Sequence, residues 1–224
     1  FPDLKETSQY TGVYKARNFE IFSDLLRDNG MASQAEKFLH ASGKLQTLAY
    51  KYDLERNLRT KDYAGFQLLG LNDYSGQGTA LVGVLNVHWK EKGYCDALDW
   101  TEFCSPIVPL AKFPKFVFAG EEKVQIPVEL YNAYKEPLED ARVKYAVQDA
   151  KGNVMETGEL TDFINNSDRP QDGSDGQRLI PVGKNINLGR VPIDMRNLQK
   201  PAKYRLIVSV WASNAKTMKE VLGA

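Results

Sequence analysis

Polar side chains that could bind a ligand gather in residues 72–78, directly after an apolar run from Phe66 to Leu71. The loop combines a carboxylate, amides, an aromatic ring and two glycines, and Thr79 after it is a typical helix N-cap residue. In α/β proteins, the loops that leave the carboxyl ends of strands commonly carry the site. The pattern therefore predicts a candidate site at 72–78, although an ordinary strand-to-helix turn would show the same pattern.

The cysteines and histidines do not indicate a metal site or a catalytic nucleophile. Cys95 and Cys104 are too few and too far apart for a zinc site, whose ligands come in closer pairs. A disulfide between them stays open, but two thiols in or beside a helical segment are more often free. His40 and His88 have no partner at metal-ligand spacing, so we interpret both as structural. We expect no metal and no cofactor.

The composition is that of an ordinary globular protein of 224 residues, enough for one large domain or two smaller ones. Twenty-nine Lys and Arg residues balance 29 Asp and Glu residues. This zero net charge argues against a general nucleic-acid binder, which needs a basic surplus to neutralise phosphates. No apolar run approaches the roughly 20 residues that span a bilayer. The sequence starts without Met or a signal peptide, so we expect it to be processed, trimmed or cut from a longer protein.

Two amphipathic helices are predicted before the loop. The first ends at Gly30, a residue suited to the left-handed position after a helix. Ser33 and Glu36 form a capping-box pattern for a second helix, which runs to about Leu58. The predicted apolar stripe of this helix is Ala35, Phe38, Leu39, Leu45, Leu48, Ala49 and Tyr52. Gly43 inside it predicts close packing or a bend.

The segments around the loop leave one question of sheet pairing open. Residues 79–89 favour neither a helical nor a strand period, and residues 99–102 predict the start of a short helix that ends near Pro106. The apolar strand predicted at 66–71 has no sheet partner in view, and one strand cannot satisfy its own backbone groups. Either the N-terminal lead-in supplies another strand, or the rest of the sheet lies upstream.

The hydrophobic period changes after Pro106. Residues 107–114 are predicted to be a proline-containing linker. From residue 115 onwards apolar and polar residues alternate, and polar turns separate the runs. The clearest alternating runs are 124–130, 143–147 and 204–210. Short alternating strands at this spacing predict an antiparallel β-sandwich over 115–224, preceded by a helix-rich domain over 1–106.

Two segments that flank the start of the loop resemble a known family. Gly65–Leu69 and Asp73–Gly83 are similar to the last barrel strand and the following loop of glycoside hydrolase family 2-like enzymes. Further similar pieces are Phe1–Asp3, Tyr10–Val13, Phe103–Pro106 and Val108–Leu110. The resemblance covers residue 1 to about residue 130, and it is to the large bacterial β-galactosidase- and β-glucuronidase-like proteins, many from gut Bacteroides.

This resemblance implies an α+β multidomain protein. The chain would hold the tail of a (β/α)8 barrel, with its helices and last strand, followed by an immunoglobulin-like antiparallel β-sandwich. Family members hydrolyse O-glycosidic bonds with retention, using an acid/base glutamate and a nucleophilic glutamate about 5 Å apart. Both follow earlier barrel strands, which places them upstream of Phe1. This chain would then hold no catalytic residue and be inactive alone, and the family implies a periplasmic or extracellular location.

The same resemblance makes the loop one wall of a sugar site. The candidate substrate-binding residues are Asn72, Asp73, Tyr74 and Gln77. A carboxylate and amides suit hydrogen bonds to sugar hydroxyls, and a tyrosine ring can stack on the face of a sugar. For Asp73 the alternative is that its carboxylate accepts backbone N–H groups of a tight loop.

Other aromatic residues and other functions stay open at this point. Trp89 and Trp100 are either further sugar platforms or buried packing residues. The expected partner is a carbohydrate, with no nucleic acid and no membrane. A barrel tail alone would either self-associate through its exposed apolar surface, as a homo-oligomer, or be only marginally stable. The alternative function is a non-catalytic sandwich that binds a glycan or a protein, or that only supports the fold. Its candidate binding residues are Tyr131, Tyr134 and Trp211.

Overall fold

The structure is a computed structural model that describes residues 17–74, 81–163 and 178–215. It contains helices and two antiparallel sheets, which confirms the predicted mixture of α and β structure at this level. Within the described ranges, no helix combines the length and the apolar character needed to cross a membrane.

The chain divides into two compact units. Unit 1 comprises Phe1–Leu54 and Ala64–Phe103, and unit 2 comprises Glu55–Tyr63 and Cys104–Ala224. Helices dominate the described part of unit 1, and strands dominate that of unit 2.

Helix α1 (Arg17–Asp28) ends as the sequence predicts. Gly30 has a φ of +69°. Its N–H donates to the carbonyl of Arg27 at 2.9 Å, and the N–H of Met31 donates to the carbonyl of Leu26 at 2.7 Å. These two bonds make a Schellman motif, which requires the left-handed conformation that glycine adopts without steric cost.

Helix α2 (Ala35–Arg59) starts and packs differently from the prediction. Ser33 lies inside a 3₁₀ turn, Ala32–Gln34, so the predicted N-cap of α2 is wrong. Five residues of the predicted apolar stripe are exposed, namely Ala49 and the larger Phe38 (42%), Leu45 (68%), Leu48 (62%) and Tyr52 (43%). The buried face of the helix passes through Gly43 and Leu54 instead. The prediction was wrong because α2 carries apolar residues on two faces, and the period alone does not show which face is covered.

Gly43 confirms one of the two predicted interpretations, close packing. A β-carbon at this position would overlap the ring of Tyr94. Tyr94 belongs to a buried cluster with Val84 and Cys95, against which Leu39, Tyr50 and Trp100 pack. Glycine at 43 therefore lets the α2 backbone approach this cluster.

The strand predicted at 66–71 is not present. These residues form no ladder, and the first pairing is an isolated parallel bridge between Asn72 and Leu85. Leu85 also forms an antiparallel bridge with Glu91. Within this apolar run, Leu69 is 97% exposed to solvent.

The short helix α3 (Ala97–Thr101) confirms the prediction of a helix near residue 100, although it starts earlier than predicted. Asp96 is its N-cap and accepts the N–H of Asp99 at 2.7 Å. The carboxylate of Asp99 accepts the N–H of Asp96 in return, at 3.3 Å. Two acidic residues thus make the reciprocal capping box, which leaves fewer unsatisfied donors at the helix start.

Unit 2 contains the strands. They are β1 (Ile107–Ala111), β2 (Lys123–Asn132), β3 (Arg142–Asp149), β4 (Val154–Leu160), β5 (Gly183–Asp194) and β6 (Tyr204–Trp211). Strand β1 lies within residues 107–114, so the prediction of a linker is wrong for residues 107–111. It pairs with β2 although it contains Pro109, a residue that donates no hydrogen bond and is tolerated on an edge strand.

The strands form two three-stranded antiparallel sheets, ordered β1-β2-β5 and β4-β3-β6. Alternate residues of β2, including Ile126 and Val128, are buried with Val143 and Val147 of β3 in one cluster. Two sheets that share a core are the layered arrangement of a β-sandwich. The alternation that predicted the sandwich from the sequence is thus the burial pattern of its strands.

Candidate functional site

Three of the four predicted site residues lie in the described part of the chain. Asn72, Asp73 and Tyr74 follow one another at the start of the loop, and Gln77 lies outside the described residues. Their environments differ strongly: Asp73 is 3% exposed, Asn72 is half-buried, and Tyr74 is 64% exposed. The three side chains are therefore suited to different tasks.

Asp73 forms a buried ion pair with Lys92. The ammonium group lies 2.8 Å from Oδ1 and 2.7 Å from Oδ2 of Asp73, and the two side chains are 7% and 2% exposed. Oδ1 also accepts the backbone N–H of Gly83 at 2.8 Å. This is the alternative that the sequence left open, in which Asp73 holds backbone N–H groups. Buried in this way, the carboxylate ties three chain segments together.

Gly83 lies where two of these segments come closest. A β-carbon at this position would overlap the main chain of Asn72 and Asp73. The hydroxyl of Tyr94 lies 3.0 Å from the carbonyl of Gly83, to which it can donate, and 3.2 Å from the Oε1 atom of Gln46. Burial, followed by the nearby Asp73 carboxylate, raises the pKa of Tyr94 to about 12. Tyr94 is therefore a neutral hydrogen-bond donor at ordinary pH and not an acid or base.

A second rigid feature is the turn at residues 86–90. Asn86 is 4% exposed, and its Oδ1 accepts the N–H groups of His88 at 2.9 Å and Lys90 at 3.0 Å. The main chain closes the same turn through Asn86 N–H to Lys90 carbonyl, 2.9 Å, and Trp89 N–H to Asn86 carbonyl, 3.0 Å. The sequence analysis did not identify Asn86; the signal available was the preference of Asn for the first position of a turn.

Trp89, at the end of this turn, and Trp100 have opposite environments. Trp100 packs edge-to-face against Tyr50 and Phe103, with ring centroids 5.8 Å and 5.0 Å away, so it is a packing residue. Trp89 is 64% exposed and has a φ of +62°. A non-glycine residue in this left-handed region is uncommon, and the bulk of tryptophan makes it more costly. The packing interpretation is therefore wrong for Trp89 and holds for Trp100.

The described residues hold no group of three or more His, Cys, Asp or Glu side chains that could bind a metal ion. Cys95 and Cys104 are not joined by a disulfide, the pairing that the sequence left open. Burial raises the pKa of the Cys95 thiol, which disfavours the nucleophilic thiolate. In its described part, the site offers hydrogen bonding and aromatic surface more than reactive groups.

The aromatic residues considered in the sandwich do not form one surface. Tyr131 packs against the cluster of Leu58, Val108 and Leu110. Tyr134 packs against the main core, and its hydroxyl lies 3.4 Å from the carbonyl of Asn214. Only Trp211, at the end of β6, has a largely exposed side chain, at 53%. Of these three candidate residues, Trp211 therefore has the ring most open to a ligand.

Comparison with known proteins finds a family match within unit 2. Residues 122–218 match a family described as Domain of unknown function (DUF8488). The match spans β2 to β6 and so takes in most of the sandwich. No curated protein matches the chain.

Proposed function

We propose that this chain is the C-terminal portion of a retaining β-glycosidase that hydrolyses O-glycosidic bonds of carbohydrates. In this proposal unit 1 is the tail of a (β/α)8 barrel, and unit 2 holds an immunoglobulin-like β-sandwich. Residues 72–77 line the sugar site. Both catalytic glutamates lie outside residues 1–224, so this chain binds and positions the sugar but supplies no catalytic carboxylate.

The observation that carries this proposal is the second apolar face of α2. Phe38, Leu45 and Tyr52 recur at heptad spacing, and all three are exposed, opposite the buried face through Gly43. A helix that is apolar on both faces is typical of a helix packed on both sides. The remaining strands of a barrel would supply the missing neighbour.

Two other segments support the same interpretation. On α1, Ile21 and Leu25 are 48% and 53% exposed. The run 66–71, which resembles the last barrel strand, forms no ladder with the described residues, and Leu69 is almost fully exposed. Neighbouring barrel strands would pair with the run and cover it.

Under this proposal the loop residues have separate roles. The Asp73–Lys92 pair fixes the loop backbone, since its carboxylate is occupied by Lys92 and Gly83. Tyr74 presents an exposed ring that can contact a sugar. Asn72 donates from Nδ2 to the carbonyl of Asp73 at 3.1 Å, and its Oδ1 remains the atom proposed to accept a sugar hydroxyl.

The test is to express the complete reading frame that encodes this chain and to assay it on aryl β-glycosides. The complete protein should release the aglycone with retention of anomeric configuration, observed by proton NMR of the first-formed sugar. Residues 1–224 alone should show no turnover. A reading frame that starts at residue 1, or an inverted product, would refute the proposal.

An alternative proposal is a non-catalytic sandwich module that binds a carbohydrate or protein or supports its neighbours. The match of residues 122–218 to a domain family supports this alternative, because the matched stretch runs from β2 to β6 and does not reach into unit 1. Saturable binding of a glycan to this chain that Trp211→Ala abolishes would support a binding module. Binding that depends on the loop at 72–77 would support the glycosidase.

A further inference from the structure

The residues that end α1 include a dipeptide with a chemistry of its own. Asn29 is the one asparagine of the sequence that precedes a glycine, Gly30. Both residues are exposed, and a β-carbon added to Gly30 would meet nothing within 4 Å. The backbone nitrogen that follows an asparagine can attack the amide of its side chain. Glycine leaves this nitrogen unshielded, because it has no side chain.

In the closed turn at the end of α1, both reacting groups are occupied by hydrogen bonds. The nucleophile would be the nitrogen of Gly30, whose N–H donates to the carbonyl of Arg27 at 2.9 Å. The leaving group would be Nδ2 of Asn29, which donates to the carbonyl of Leu25 at 2.7 Å. This side-chain bond holds the amide against the preceding turn of the helix. The reaction therefore requires that the last turn of α1 opens first.

The contacts of α1 oppose this opening only weakly. Phe19 near the start of the helix is buried, but Ile21 and Leu25 are 48% and 53% exposed. The ion pair of Asp24 with Arg27 in the last turn lies in solvent, where such pairs contribute little to stability. The terminal turn of an exposed helix opens at a low cost in free energy. The open turn, in which Asn29 can react, is therefore visited regularly.

We propose that Asn29 is a site of spontaneous deamidation, and that the rate of this reaction is set by the opening of the last turn of α1. The nitrogen of Gly30 bonds to Cγ of Asn29, and the bond from Cγ to Nδ2 breaks. The amide leaves as ammonia, together with the proton that the nitrogen of Gly30 has lost. Water then opens the cyclic imide at either of its carbonyls, which gives aspartate or isoaspartate at position 29. This inference goes beyond the proposed function and does not depend on it.

Either product prevents the turn from closing as before. A carboxylate at position 29 has no hydrogen to donate to the carbonyl of Leu25, and its charge lies at the negative end of the helix dipole. Isoaspartate also adds a methylene group to the main chain, which disturbs the hydrogen bonds that Gly30 and Met31 donate to α1. Because ammonia is lost, refolding does not restore the amide. The modification is therefore a one-way switch that loosens the end of α1.

The test incubates the whole chain in native buffer and in urea, and follows the peptides that contain Asn29 and Asn153 by chromatography and mass spectrometry. Asn153 is the matched internal control, because it is also exposed and its Nδ2 donates to Asp149 at 2.8 Å, but Val154 follows it. We expect aspartate and isoaspartate to form at position 29 in native buffer, on the order of tenfold more slowly than in urea. Hardly any should form at position 153.

Two variants test the dependence on the turn. Arg27→Gly weakens the last turn of α1 without changing the dipeptide, so it should speed the conversion about fivefold in native buffer and leave the rate in urea unchanged. Asn29→Asp reproduces one product, and it should speed hydrogen exchange of the Met31 N–H about fivefold. The proposal is overturned if Asn29 converts in urea but not in the folded chain, or if Asn153 converts as fast. It is equally overturned if Arg27→Gly does not change the native rate, or if Asn29→Asp does not change the exchange.

Discussion

Removing the charge of Asp73 is the change that most directly tests how the loop is held. In Asp73→Asn the ammonium of Lys92, with a side chain only 7% exposed, loses its ionic partner. Breaking a buried pair from one side costs about 3–5 kcal/mol, because the remaining charge is left desolvated. The new amide oxygen can still accept the N–H of Gly83. We therefore expect a loss of stability at the lower end of this range, about 3 kcal/mol. That is a large part of the roughly 5–15 kcal/mol that stabilises a typical domain.

Amide hydrogen exchange is the appropriate assay, since a chain of two units need not unfold in one step. The N–H groups of Asp73 and Leu85 lie in hydrogen bonds beside the pair and report on opening of this region. A loss of about 3 kcal/mol corresponds to exchange faster by about two orders of magnitude. Asp73→Asn combined with Lys92→Met removes both charges and should recover most of the loss.

Asp24→Asn provides the matched control in the same unit. Asp24 pairs with Arg27 on α1 at 2.7 Å, but the two side chains are 56% and 64% exposed. Pairs of this kind contribute about 0.5 kcal/mol or less, so exchange should hardly change. The reasoning is refuted if Asp73→Asn costs as little as Asp24→Asn, or if the double variant is less stable than Asp73→Asn alone.

Three further predictions follow from the same unit. Trp89→Gly should raise the free energy of unfolding by up to about 1 kcal/mol, because glycine adopts the positive φ of residue 89 without strain. Trp211→Gly in β6 should lower the free energy of unfolding, and urea unfolding measures both variants. Gly83→Ala should cost at least about 2 kcal/mol, since backbone blocks the new methyl group, while Gly65→Ala, with open space around it, should be close to neutral on the same assay. Tyr94 has a folded pKa of about 12 against an ordinary value of 10.0, so the stability it contributes is complete below pH 10 and is lost as pH rises toward 12. By tyrosinate absorbance, the folded chain and Tyr94→Phe should have the same number of tyrosines titrating near pH 10, and one more in the unchanged chain would contradict the burial of Tyr94.

Structural features that depend only on neighbouring residues in the sequence were predicted correctly. Gly30 ended α1 because a left-handed residue follows a helix wherever the chain must turn in this way. The alternation in β2 and β3 predicted the buried faces of the sandwich because strand geometry sends successive side chains to opposite sides. These signals need no knowledge of distant residues.

Features that depend on contacts with residues far away in the sequence were predicted less accurately. The apolar run 66–71 has strand composition, but a strand needs a neighbour, and none pairs with it among the described residues. The stripe through Phe38 and Leu45 was predicted to face the core, and the opposite face does. For the site, the sequence located Asp73 but could not identify Lys92 as its partner or Asn86 as the support of the turn.

The pairing order of the sandwich has a consequence for how the protein is made. The central strand β2 pairs with β5, so Ile126 meets Val191, and the central strand β3 pairs with β6, so Tyr145 meets Val208. Each sheet can therefore be completed only after a later strand, β5 or β6, has been synthesised. Long-range antiparallel pairings of this kind slow folding, because the closure of a long loop precedes the contacts that stabilise it. Until β5 and β6 emerge, β2 and β3 have unpaired edges, and nascent chains halted before them should be the species most prone to aggregate.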